Sequence, residues 1–379
     1  MKANLILSVF ILIFSLSCKE SSKTDEKTIK IDLTKVDNPS CGDIFSKIEI
    51  IPLETSPNCL INGIEKNVFF RGRYYLMDRD ELSVLVFDEK GKFCFKIKNI
   101  GEGPGEYTML HDFEINRFTN QIEILTANPA RIICFDLEGN YLKEFRFPKG
   151  ILSPTKFSTI SKDSALIFCQ TDSHRLFSFD KKNVSIKDLN HHIPNPASLS
   201  FDPLPFGLYI SFFGQNGQII YHETLTNNVY RYENEQITLK YRWDFGKYNF
   251  DVDKLLKNQP TKYYIDLLEN SNFAWHFYYN VENDKYIVTN FIFKKKAYCL
   301  FYNKTTKNYK LITGFKEGGF PPNSPITFDK GLIGIIHPTM ITTFFPDGCL
   351  PAETQKKIES MDEENNPVLV KCYFNESSM

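Results

Sequence analysis

Apolar positions in this chain fall in short, dense runs separated by polar turns, and seldom at the spacing of an amphipathic helix. The clearest case is Val84-Leu-Val-Phe-Asp-Glu-Lys-Gly-Lys-Phe93. An apolar run closes on Phe-Asp, a polar turn with Gly follows, and a second run begins. Ile132-Ile-Cys-Phe-Asp-Leu-Glu-Gly-Asn-Tyr141 repeats the pattern. Looser copies are Leu176-Phe-Ser-Phe-Asp-Lys-Lys-Asn183, Val229-Tyr-Arg-Tyr-Glu-Asn234 and Tyr298-Cys-Leu-Phe-Tyr-Asn303. Each reads as a β-hairpin, because the apolar runs suit strands and Asp, Asn and Gly supply the turn and its positive φ.

The closing aromatics Phe87, Phe135, Phe179 and Tyr232 recur at intervals of roughly 40–50 residues, the length of one four-stranded propeller blade. Partner strands fall between the hairpins at Tyr74–Met77, Phe113–Ile115, Ile122–Leu125, Leu166–Cys169, Gln218–Tyr221 and Tyr286–Asn290. The longer interval before Tyr302 holds Val252, Leu255, Leu256, Tyr263, Tyr264, Leu267 and Leu268. These predict a short helical insertion near 251–270, broken at Pro260. The last blade is expected from both ends of the chain: Ile48–Leu53, Leu332–Ile336, Ile341–Phe345 and Pro367–Phe374, with a polar helix over Ala352–Met361. Such closure hides the edge strands of an open sheet. The expectation is an all-β fold, a six-bladed β-propeller of four-stranded antiparallel blades.

The N-terminus departs from this pattern. Lys2 precedes an apolar run from Leu5 to Leu16, shorter than the ~20 residues a membrane span needs and suited to a signal peptide. Ser17-Cys18 ends it like a lipobox, with Cys18 as the lipid attachment site, although Ser15 stands where an aliphatic residue is usual. The chain then divides into a lipoprotein signal peptide (1–17), a flexible tether (18–40) and a single propeller (41–379). Export allows disulfides; Cys41 could pair with Cys59, and so could Cys349 with Cys372. Cys94, Cys134, Cys169 and Cys299 lie inside apolar runs and read as small buried hydrophobes.

Composition sharpens the fold more than the function. Aromatic residues make up 15% of the chain, 34 Phe among them, which favours pleated, half-buried surfaces. A formal net charge of −1 gives no reason to expect nucleic acid as a partner.

Four segments, Phe87–Gly91, Ile100–Tyr107, Ile124–Asn128 and Arg131–Asp136, resemble consecutive parts of an NHL-type propeller repeat. The arrangement as a whole resembles the six-bladed β-propeller lipoproteins of Gram-negative bacteria. In that family a lipobox Cys precedes a Pro-Leu-Glu strand end, here Pro52–Glu54. A Gly-x-Gly-Pro-Gly-Glu-Tyr segment follows the first hairpin, and an Asn-Pro-Val-Leu-Val strand, here Asn366–Val370, closes the chain. Ala127 replaces the usual Asp of the repeat, and the units after Leu189 have drifted. The resemblance implies a fold and an exported, lipid-anchored location in the cell envelope, in the outer membrane; it carries no functional residues with it.

Candidate chemistry is sparse. The Gly101–Tyr107 loop carries acidic Glu102 and Glu106, contains Pro104 and lacks a following Gly-Lys-Ser/Thr, so it reads as a crossover between blades and not as a phosphate cradle. His111, His174, His191, His192, His222, His276 and His337 show no zinc spacing, and no nucleophile elbow occurs. The aromatic clusters Phe273–Tyr279 and Phe206–Phe213 suit packing between blades better than stacking on sugars. No catalytic residue, metal ligand or cofactor site is assigned. The expected role is a binding or scaffold module for a peptide, glycan or protein, held to the membrane through its N-terminal lipid. The alternative is a lactonase-like hydrolase or lyase with a divalent metal at the propeller channel.

Overall fold

The computed structural model describes residues 26–149, 153–169, 175–192, 210–215, 218–223, 226–251, 262, 263, 266, 267, 270, 272–322 and 326–378. The chain enters on β1 (Thr28–Lys30), turns through α1 (Cys41–Ile44) and lays down β2 (Phe45–Pro52). Blade 1 follows as a meander of β3 (Ile64–Phe70), β4 (Arg73–Asp78), β5 (Ser83–Asp88) and β6 (Phe93–Ile97). Blade 2 is β7 (Asp112–Asn116), β8 (Gln121–Ala127), β9 (Ala130–Phe135) and β10 (Tyr141–Arg146). Blade 3 is β11 (Pro154–Ser161), β12 (Ser164–Cys169), β13 (Arg175–Asp180) and β14 (Ser185–His192). Blade 4 is β15 (Ile210–Gln215), β16 (Gln218–Glu223), β17 (Asn228–Glu233) and β18 (Gln236–Asp244). Blade 5 is β19 (Trp275–Glu282), β20 (Tyr286–Phe293), β21 (Lys296–Asn303) and β22 (Tyr309–Ile312). Blade 6 joins β23 (Ile326–Phe328), β24 (Gly331–Ile336) and β25 (Val368–Phe374) to the N-terminal β2.

The first strand of each blade is innermost, and these strands form a closed ring: β3 meets β7, then β11, β15, β19 and β23, which returns to β3. A six-bladed propeller of four-stranded antiparallel blades is therefore the architecture.

Burial explains why the strands read as continuous apolar runs. Each middle strand lies between two neighbouring blades, so both of its faces are covered. Tyr75, Met77, Val84 and Val86 pack towards blade 2 with Phe113 and Ile115. Their neighbours Tyr74, Leu76, Leu85 and Phe87 pack the other way, towards Ile333 and Leu369 of blade 6. The same alternation builds the four remaining cores between blades.

The recurring Phe-Asp is a turn device as well as a core residue. Asp88 Oδ1 accepts from Lys90 N at 2.8 Å and Lys92 N at 2.9 Å, and Gly91 sits at φ +82°. Asp136 accepts from Glu138 N at 2.9 Å and Asn140 N at 2.8 Å, with Gly139 at φ +87°. Asp180 and Asn303 cap the equivalent turns in blades 3 and 5. The side chain holds the turn so that the strands on either side stay in register.

Several expectations need correction. The tether assigned to 18–40 is too long, because β1 adds to β18 in parallel as a fifth strand of blade 4. Beyond it Ile31 and Leu33 are buried between blades 4 and 5, and Asp37 N donates to Leu311 O at 2.7 Å. The segment is thus a strap along the rim from blade 4 to blade 6. Ile341–Phe345 is not a strand: a 3-10 turn at Pro338–Met340 leads into α2 (Ile341–Phe344), and β23 supplies the fourth strand of blade 6. Pro338 has no N–H for a ladder and suits the first turn of a helix. The polar helix is present as α3 (Ala352–Glu359). Of the insertion near 251–270, only Asp251, Lys262, Tyr263, Asp266, Leu267 and Asn270 are described; Lys262, Tyr263, Asp266 and Leu267 are helical, and the rest lies outside the described residues.

Cysteines also differ from expectation in part. Cys134, Cys169 and Cys299 are buried as read, but Cys94 is exposed, because β6 is the outermost strand of blade 1 and its alternate side chains face solvent. All the described cysteines are free thiols. Cys41 and Cys59 lie in different cores, between blades 5 and 6 and between blades 6 and 1.

Candidate functional site

All inner strands run in the same direction, so their first residues gather on one face of the disc around the channel mouth. In blades 1 to 3 charged residues lie at or within two positions of these starts: Glu65 and Lys66, Asp112 and Glu114, and Lys156. Glu65, near the start of β3, accepts from Lys156 Nζ at 2.8 Å through Oε1 and from Arg79 Nη1 at 2.9 Å through Oε2. Lys156 belongs to β11, two blades away, so the pair reaches past the inner strand of blade 2.

One residue deeper, Lys66 Nζ donates to Asp112 Oδ1 at 2.9 Å and lies 3.6 Å from Glu114 Oε2. Asp112 also accepts from Phe113 N and from Phe157 N of blade 3, each at 3.0 Å. A single carboxylate thereby ties three blades together, and it is fully buried while Lys66 keeps 21% of its side chain exposed.

Electrostatics at the mouth follow from these partners. Burial opposes ionisation of Glu65, but Lys156 and then Arg79 outweigh it and hold the carboxyl below its ordinary range. Burial raises Glu114, and Lys66 offsets only part of that effect. Lys66 is raised because Asp112 and Glu114 outweigh its own desolvation. His111, just before β7, is lowered by burial and by the charges of Arg79 and Lys156; its Nε2 is buried without a hydrogen-bond partner.

The sequence motifs take other roles. Gly101–Tyr107 is the crossover from blade 1 to blade 2. Tyr107 N donates to Asn99 O at 2.8 Å, Glu106 Oε2 accepts from Gly103 N at 2.8 Å, and the Tyr107 hydroxyl lies 2.9 Å from Leu82 O. A Cβ at Gly105, φ +76°, would meet the Tyr141 ring at 2.6 Å. Ala274, Trp275 and Phe277 are buried, Phe277 in the core between blades 4 and 5. His222 is buried against Phe277, and His337 Nδ1 lies 2.9 Å from Thr339 Oγ1. Cys18, His174 and 206–209 lie outside the described residues, as do the side chains of His191, His192 and His276.

Among the described residues no three His, Cys, Asp or Glu side chains gather to hold a metal ion. The carboxylates that reach the mouth are instead engaged by Lys or Arg. Local motif reading passes over this cluster because its members come from residues 65, 66, 79, 111, 112, 114 and 156. The available signal was charge inside strands, in Ile64-Glu-Lys-Asn and Asp112-Phe-Glu-Ile, where a packed strand would carry apolar residues.

Fold and mouth together define a six-bladed propeller with a charged channel entrance. The chain belongs to the family described as "Domain of unknown function (DUF4934)", which matches residues 26–373. No curated protein sequence matches it. Its fold is similar to the crystal structure of a candidate exported protein from Bacteroides fragilis NCTC 9343, with TM-score 0.74 and 15% identity over 92% of this chain and 100% of that one. A member of the duf4221 family from Bacteroides vulgatus ATCC 8482 is also similar, with TM-score 0.53 and 14% identity over 87% of this chain and 97% of that one. At such identities the likeness is one of fold. No helix of the described residues is long and apolar enough to cross a membrane.

Proposed function

We propose that this protein is an exported binding module of the bacterial cell envelope, anchored through lipid on Cys18, which uses the channel-mouth face of the propeller to hold a partner. The charged mouth carries this reading: Glu65, Lys66, Arg79, Asp112 and Lys156, from three blades, are fixed by mutual ion pairs on a closed ring. Preorganised polar groups on rigid elements are what specific recognition requires. The apolar run before Ser17-Cys18 and the exported character attributed to the Bacteroides fragilis neighbour support the location. A hydrolytic role stands second, because the described carboxylates at the mouth are each matched by a cation.

Two measurements test the proposal. Cells fed an alkyne fatty acid should label the wild-type protein and not Cys18→Ala; equal labelling would remove the anchor. Binding of envelope peptides and glycans to the purified full chain should saturate at one site and fall when Lys66 is changed to Met. A complete screen without saturable binding would refute the module.

A further inference from the structure

We propose that Arg79 and Lys156 form a receptor slot for a carboxylate of an acidic peptide segment on a partner protein, with Glu65 occupying that slot in the free molecule. The inference rests on the binding-module reading and names the chemistry of its ligand. Glu65 is held as a bound carboxylate would be, one oxygen on each cation, at 2.8 and 2.9 Å. Two cations share one anion within the triad, while one residue deeper Lys66 is shared by two carboxylates, so the positive charge of the mouth is concentrated on Arg79 and Lys156. Arg79 keeps 60% of its side chain exposed, which leaves donors of its guanidinium facing solvent. Beside the triad lies His111, whose Nε2 has no hydrogen-bond partner.

The surroundings favour a peptide over a glycan. The chain enters each inner strand at the mouth face, so the connections leading into β3 and β7 lie there, as does the link from β24 to α2. These carry exposed Leu60, Ile100, Met109 and Met340. Aliphatic and thioether side chains on the same face as a charged slot suit the apolar residues that flank an acidic one in a peptide. A sugar is better served by an exposed aromatic platform. Among the described residues the markedly exposed aromatics are Phe118, in the β7–β8 turn on the opposite face, and Tyr141, after β9, whose ring lies beside Gly105 of the crossover; neither belongs to the strands that carry the slot.

The test uses the full chain in detergent and a fluorescent hexaglutamate peptide with an amidated C-terminus, followed by anisotropy. Hexaglutamine is the neutral control and trigalacturonate the competing glycan acid. Wild type should bind hexaglutamate saturably, more weakly as salt rises, and leave hexaglutamine free. Glu65→Gln removes the charge of the resident carboxylate and should tighten binding about tenfold; Arg79→Ala and Lys156→Met should each weaken it about tenfold, the span expected for one charge-assisted contact. Lys156→Arg keeps the charge and should retain binding, and thermal melts of every variant show that the fold is intact. Equal binding of both peptides, no gain in Glu65→Gln, or full binding in a folded Arg79→Ala would overturn the proposal. Displacement by trigalacturonate at lower concentration than by unlabelled hexaglutamate would assign the slot to acidic glycans and overturn the peptide. A partner that binds Arg79→Ala and Lys156→Met as it binds wild type would keep the module and overturn this slot.

Discussion

Lys181 and Glu123 show what a single side chain does for this ring. The ammonium, from the turn after β13 of blade 3, lies 2.6 Å from both carboxylate oxygens of Glu123 on β8 of blade 2, and each side chain is 1% exposed. Asn116 Nδ2 adds a third hydrogen bond at 2.8 Å. Removing one partner of a buried pair strands the other charge, so Lys181→Met should lower stability by about 3–5 kcal/mol. The double change Lys181→Met, Glu123→Leu should recover most of that loss, as urea melts of the three proteins would show. A loss under about 1 kcal/mol in the single variant would mean that the pair is not sequestered. His222 makes the opposite kind of statement. Burial lowers its pKa from 6.5 to about 3, so the folded protein holds it neutral where the unfolded chain takes a proton. Its contribution is complete above about pH 6.5 and is lost progressively as pH falls towards 3, by roughly 1 kcal/mol per pH unit. His222→Phe, which keeps the ring against Phe277, should flatten the fall in melting temperature between pH 7 and pH 5. An unchanged slope would place the acid sensitivity elsewhere.

Strands and turns were legible wherever one local rule decides them. The Phe-Asp turns and the middle strands can be read because an Asx turn and a doubly covered strand each impose residue types over a few positions. Elements fixed by long-range packing were not. Thr28-Ile-Lys30 is too short to carry a period, and its strand exists only because β18 offers an unpaired edge. Ile341-Thr-Thr-Phe has the composition of a strand and the geometry of a helix, since Pro338 sets the turn and the core between blades 5 and 6 takes Ile341 and Phe345. The mouth cluster escaped for the same reason, its residues being neighbours only once the ring forms. The strap itself can be tested. Arg242 N donates to Lys27 O at 2.8 Å and Ile31 N to Asp244 O at 2.9 Å. Placing Asp at Ile31 and Leu33 should unseat it, with a loss of about 3–6 kcal/mol of buried apolar contact. Hydrogen exchange at Arg242 and Ile31 should quicken while Tyr230 and Tyr232 in β17 stay protected; unchanged exchange at Arg242 would mean that β1 contributes nothing to this edge.

At the scale of the whole molecule, stability depends on how the two ends meet. β25 lies between β24 and β2, so it is the strand through which the N-terminal segment joins the C-terminal blade. Its side chains serve both flanking cores, Val368, Val370 and Cys372 facing blade 5 and Leu369 facing blade 1. A chain ending at Asn366 would leave β2 without its partner, expose β24 and open two of the six cores at once. It should fail to melt cooperatively. A chain ending at Phe374 loses much less: Asn375 N to Ile44 O at 2.9 Å, Asn375 Nδ2 to Gly42 O at 2.8 Å, the exposed Lys285–Glu376 ion pair at 2.7 Å and the Ser378 hydroxyl to Asp43 O go. It should melt cooperatively with a deficit of about 1–3 kcal/mol. The functional consequence is sharper than the thermodynamic one. Glu65 and Lys156 are brought within 2.8 Å across blade 2 by the curvature of the closed ring, and neither belongs to blade 6. If closure sets that curvature, the shorter chain loses hexaglutamate binding although every residue of the slot is present, and the longer chain binds as wild type does. Retained binding in the chain ending at Asn366 would show that blades 1 to 3 hold the slot on their own and that the ring serves stability alone.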